Sequence, residues 1–87
     1  VKLTDEQGAV MLAVLLSGPL SATNLREHLP EGATDLARRM IVASLHVLKG
    51  RGLLESRITQ GVEFYDVTAA GLGALLVWRR DRSAQRV

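Results

Sequence analysis

Few residues in this chain could do chemistry, and they do not converge. There are two histidines, His28 and His46, and no cysteine. A helical zinc pair needs a second histidine one turn away, and neither has one. The missing cysteines exclude disulfides, iron–sulfur ligation and a cysteine-built zinc site. Asp5 and Glu6 read as acids in the positive first turn of a helix rather than as an acid/base pair. Gly50 and Gly52 follow a helix instead of opening one, so they form no phosphate loop. With no nucleophile–base constellation, the expectation is a protein that is not an enzyme and uses no cofactor or metal.

Basic residues remain, and their placement is informative. Eleven Lys and Arg stand against nine Asp and Glu, a net charge of only +2. Residues 33–61 hold Arg38, Arg39, Lys49, Arg51 and Arg57 against Asp35 and Glu55, a net +3. Residues 79–87 hold Arg79, Arg80, Arg82 and Arg86 against Asp81, again +3. Residues 1–32 and 62–78 are each −2. Two basic segments are therefore masked by two acidic ones, and basic clusters suit phosphate contact.

The elements that must position these groups follow from spacing and caps. At 87 residues, 47% apolar and 23% charged, the chain has the size and composition of one folded domain. Thr4 with Gln7 forms a capping box for a helix running to about Leu16. Its second half, Ala9–Leu16, is apolar on every side but too short to span a bilayer. Ser21 opens a short second helix to about Leu29. Thr34 or Asp35 opens a third, to about Lys49, closed by Gly50-Arg51-Gly52. Leu53–Ile58 and Val62–Val67 read as strands around Thr59-Gln60-Gly61, a hairpin signal. Thr68 caps a last helix from Ala69 to about Asp81. The fold class is mainly α with a small β-hairpin, in the order helix, helix, helix, strand, strand, helix.

On the third helix, Leu36, Ala37, Met40, Ile41, Ser44, Leu45, Val47 and Leu48 fill one half at 100° per residue. Asp35, Arg38, Arg39, Val42, His46 and Lys49 share the other. That arc is a solvated face or a reading face. A short helix, a tight turn and a longer helix with arginines in its first turns is helix-turn-helix organisation. Arginine can bond guanine bidentately, and Val42 can meet a thymine methyl. Asp35, Arg38, Arg39 and Val42 are the candidates for base contact. Ser21, Thr23, Thr34, His46, Lys49, Arg51 and Arg57 are candidates for the DNA backbone. Asp35 reads equally as a helix-start carboxylate, and each exposed cation as a solvated one.

On the last helix, Leu72, Leu75 and Leu76 form a stripe expected to face the core. Gly71, Ala74 and Trp78 lie on another side, where small residues let a second helix approach closely. With Val10, Met11 and Val14 of the all-apolar first helix, they suggest a homodimer seam. The alternative is that Trp78 covers its own core. A small flat aromatic ligand stacked on Trp78 is a further option.

The stretch from Ala37-Arg38-Arg39-Met40 through Lys49-Gly50-Arg51-Gly52-Leu53-Leu54-Glu55 resembles the recognition helix and first wing strand of winged helix-turn-helix regulators. Phe64-Tyr65-Asp66-Val67-Thr68-Ala69-Ala70-Gly71 is similar to their second wing strand and following helix start. Gly18-Pro19-Leu20-Ser21 fits the entry to the second helix in the PadR-like group, which the sequence resembles most. MarR-like proteins share the outline but commonly carry an Asp-x-Arg wing tip, which Thr59-Gln60-Gly61 lacks. PadR-like proteins often have an aromatic residue where Val42 stands. The resemblance covers about residues 9 to 76. It implies a DNA-binding domain over residues 1–78, with residues 79–87 a basic C-terminal tail or helix extension. It further implies a small transcriptional regulator, more often a repressor, bacterial or phage-encoded, and the missing secretory signal favours the cytoplasm. Its partner would be double-stranded DNA, with no membrane association. A winged-helix protein–protein module in a larger assembly is the main alternative. A DNA architectural or recombination accessory factor is the second.

Overall fold

The computed structural model describes residues 2–29 and 35–84, and for residues 35 and 36 the backbone only. The capping box forms as the sequence predicts. Thr4 Oγ1 accepts from the Gln7 amide at 3.2 Å, and Gln7 Oε1 accepts from the Thr4 amide at 3.1 Å. Helix α1 spans Asp5–Ser17 and stops where the Gly18 amide bonds the carbonyl of Val14 at 2.7 Å. Two extended residues follow, strand β1, Leu20–Ser21. Helix α2, Ala22–His28, starts on the Ser21 hydroxyl, which accepts from the Asn24 amide at 3.2 Å.

The third helix is two pieces. Helix α3, Asp35–Arg39, and helix α4, Ile41–Gly50, meet at Met40, whose φ of −108° and ψ of 22° leave the helical range. No glycine or proline lies at this break, and nothing in the local sequence explains it. Both pieces touch α1. Helix α4 ends in a Schellman motif. The Leu53 amide bonds the Leu48 carbonyl, the Gly52 amide bonds that of Lys49, and Gly52 takes φ +77°.

Strands β2, Leu54–Thr59, and β3, Val62–Val67, form the expected hairpin. Its loop is only Gln60-Gly61, both at positive φ, a type I′ turn that matches strand twist. The sheet has three antiparallel strands in the order β1-β3-β2, because Leu20 and Ser21 pair with Tyr65 and Phe64. Alternation gives it two faces. Leu54, Ser56 and Tyr65 point inward, where Leu54 and Tyr65 join the core. Glu55, Arg57, Phe64 and Asp66 share the outer face. Helix α5, Ala69–Ala84, begins on the Thr68 hydroxyl, which accepts from the Gly71 amide at 3.0 Å.

Part of the all-apolar half of α1 is covered within this chain, while Leu15 and Leu16 stay exposed. Val10, Met11 and Val14 are fully buried, because α2, α3, α4, α5 and β3 all contact α1. Gly71 is buried too, and a Cβ there would land on the Leu53 carbonyl oxygen. Trp78 and Ala74 pack, partly buried, on the core, and the indole ring lies where a Cβ of Gly8 would stand. Of the expected dimer seam, Val10, Met11, Val14 and Gly71 thus pack the interior, while Ala74 and Trp78 stay partly exposed. Helix α5 turns Leu75 inward but leaves Leu72 and Leu76 exposed, against expectation. Close approach at Gly71 fixes that rotation. No described helix is long and apolar enough to cross a membrane.

Candidate nucleic-acid interface

Helix α4 buries Ile41, Ser44, Leu45 and Leu48, the i, i+3, i+4, i+7 pattern of a one-sided helix. Its outward side carries Val42, 56% exposed, with exposed His46 and Lys49 at the following turns. Arg38 and Arg39 are exposed on α3, one turn before α4 begins. Arg38, Arg39, Val42, His46 and Lys49 are therefore exposed along α3 and α4, on either side of the break at Met40.

Two residues assigned to the buried half depart from it. Met40 and Val47 are 47% and 43% exposed. With Ala43 they face Thr4, Glu6 and Gln7 across a cleft of about 210 Å³ at the start of α1. The break at Met40 means that no single straight helix carries the whole predicted apolar stripe.

Lys49 is engaged. Its Nζ lies 3.0 Å from Glu63 Oε2 on β3. The same carboxylate accepts from Ser56 Oγ at 2.6 Å and from Tyr65 Oη at 2.8 Å. The hydrogen bonds from Ser56, Lys49 and Tyr65 hold the Glu63 carboxyl down at about 2. Burial, and then the bond to this anion, push the Tyr65 phenol up to about 12. Glu63 is thus the joint between α4 and the hairpin. Sequence reasoning missed it, because a lone Glu on an alternating strand reads as a solvent charge.

The remaining candidates divide. Arg51 is exposed at the C-cap of α4, close to Lys49, and Thr23 is exposed on α2. Ser21, expected at the DNA backbone, is buried at 7% exposure with its hydroxyl capping α2. Arg57 lies on the outer sheet face, opposite Phe64, while Lys49 meets the inner one. The structure does not bring those two cations together. On that outer face a cleft of about 440 Å³ is lined by Pro19, Glu55, Arg57, Phe64 and Asp66, among others. Thr34 and the side chain of Asp35 lie outside the described residues. His28 closes its own helix, with Nδ1 2.8 Å from the Asn24 carbonyl oxygen.

The basic C-terminal segment continues α5 to Ala84. Arg79 and Arg80 are exposed, whereas Arg82 turns back. Its Nη1 pairs with Asp5 Oδ1 at 3.1 Å, and its guanidinium stands 4.9 Å from the Trp78 ring centre. Trp78 Nε1 donates to the same Asp5 oxygen at 3.2 Å. The indole already has its stacking partner from this chain. The adjoining cleft is about 80 Å³, well below the ~300 Å³ of an ordinary ligand pocket. No support for a flat ligand at Trp78 comes from this arrangement.

Comparison with family models, with curated proteins and with solved structures finds no match to this chain.

Proposed function

We propose that this chain is a winged helix-turn-helix domain that binds double-stranded DNA as a small transcriptional regulator, more often a repressor. The observation that carries this reading is the exposure of Arg38, Arg39, Val42 and His46 on α3 and α4, with α4 held beside the hairpin by Lys49 and Glu63. The order α1, β1, α2, α3–α4, β2, β3 supports it, since a short strand before the second helix completes the wing sheet. Arg38 and Arg39 supply bidentate donors for guanine, and Val42 an apolar contact. Thr23, Lys49 and Arg51 serve the phosphates. Selection from a random duplex pool tests the proposal. Enrichment of one shared motif supports it, and a pool that never enriches overturns sequence-specific regulation.

A second reading has its own observation. Met40 and Val47, half-exposed beside the cleft at the start of α1, leave an apolar surface that this chain does not cover. That surface also suits a protein partner, in a winged-helix module of a larger assembly. Binding to no duplex at low salt favours this role.

A further inference from the structure

We infer that the free edge of β2 pairs with the same edge of a second copy of this chain, antiparallel and centred on Ser56. Strand β2 lies at the end of the sheet order β1-β3-β2, so it has one strand neighbour among the described residues. Thr59 and Val62 flank the two-residue turn and are paired, which makes them the hydrogen-bonded closing pair. Alternation then turns the amides and carbonyls of Glu55 and Arg57 toward β3. Those of Leu54, Ser56 and Ile58 point to the open edge.

Only registers that match these three residues with one another can form a ladder. Centring on Glu55 sets two glutamates face to face. Centring on Arg57 sets two arginines face to face. Centring on Ser56 sets Glu55 of each copy against Arg57 of the other, twice, in the closely spaced non-hydrogen-bonded pairs. The same register makes the longest ladder, about six backbone hydrogen bonds. It also lays Ile58, 70% exposed, against Leu54 of the second copy and shields it from water. Exposed edges normally carry charges that repel another strand. Here the two charges complement themselves under a two-fold axis, as an isologous contact requires. The occupant is therefore a second copy, joined through the hairpin. This inference is independent of DNA binding.

Sedimentation equilibrium over a concentration series tests it without DNA. The wild-type chain forms a salt-weakened dimer. E55R and R57E each put like charges opposite one another and weaken the dimer roughly tenfold or more. The double variant E55R/R57E restores it, and so does mixing the two single variants. Both residues are exposed, so the fold is retained, which circular dichroism checks. A wild-type chain that stays monomeric at every concentration overturns the inference. So does a dimer that ignores the charge swaps, or one that the double swap and the mixture fail to restore.

Discussion

Lys49 Nζ and Glu63 Oε2 stand 3.0 Å apart, and this one pair ties the end of α4 to the second strand of the hairpin. Ser56 and Tyr65 complete the arrangement, so one carboxylate takes three donors from three elements. Its pKa falls from the ordinary 4.5 to about 2. A carboxyl lowered on folding stabilises the fold fully above its unfolded value and loses that contribution as pH drops through its folded value. The urea midpoint of the wild type should therefore exceed that of Glu63→Gln by a constant amount above pH 4.5, with the gap closing between 4.5 and about 2. Urea titrations of both proteins across that window check it. A gap that persists unchanged at pH 2 contradicts the role given to Glu63.

The partner phenol titrates at the other extreme. This chain has one tyrosine, so the change in ultraviolet absorbance as a phenol ionises reports Tyr65 alone. Its pKa is raised from 10.0 to about 12, first by burial and then by Glu63. The stability it adds is whole below 10.0 and is lost as pH rises through about 12. In Glu63→Gln the absorbance midpoint moves part of the way back toward 10.0, since burial remains.

Gly8 and Trp78 form a size pair across α1 and α5. A Cβ on Gly8 would meet the indole ring. Gly8→Ala should destabilise by about 1–3 kcal/mol through overpacking. In a Trp78→Ala background the clash is gone and helix propensity remains, so the same change should stabilise by up to about 1 kcal/mol. A double-mutant cycle by urea denaturation reads this reversal. Equal effects in both backgrounds contradict the packing.

Gln60 sits at φ +52° in the tight turn. A non-glycine residue pays roughly 1–2 kcal/mol there, and Asn-Gly is the favoured type I′ pair. Gln60→Asn should raise thermal stability, and Gly61→Ala should lower it by about 1 kcal/mol. Melting curves of the two variants, shifted in opposite directions, check the turn.

Local signals carried most of the elements. Thr4 with Gln7, Ser21, Gly52 and Thr68 each cap where their types predict, because a cap is settled within one turn of chain. Strand β1 was not legible, as two residues hold no alternation. The burial of Val10, Met11 and Val14 was misread because a helix apolar on all sides does not say which neighbours cover it. Here five elements of the same chain do so. Trp78 was legible only as an alternative, since its partner Gly8 lies 70 residues away. Glu63 was not legible, because its donors Lys49 and Ser56 come from elements brought close only by the fold.

For DNA binding, the paired Lys49 gives a specific expectation. Arg38→Ala should cost about 1–3 kcal/mol on a selected site and relax one base position. Lys49→Ala should weaken all sequences alike and lower the salt slope by about one. Glu63→Gln should strengthen binding to any duplex, because it frees Lys49 for phosphate. Equal losses from the Arg38 and Lys49 variants on specific and random DNA contradict this division.

The most direct measurement is fluorescence anisotropy of a labelled random duplex, titrated with the wild-type chain at low and at moderate salt. DNA binding through these exposed basic residues predicts saturable binding at low salt and a steep fall in affinity as salt rises. No binding even at low salt contradicts it.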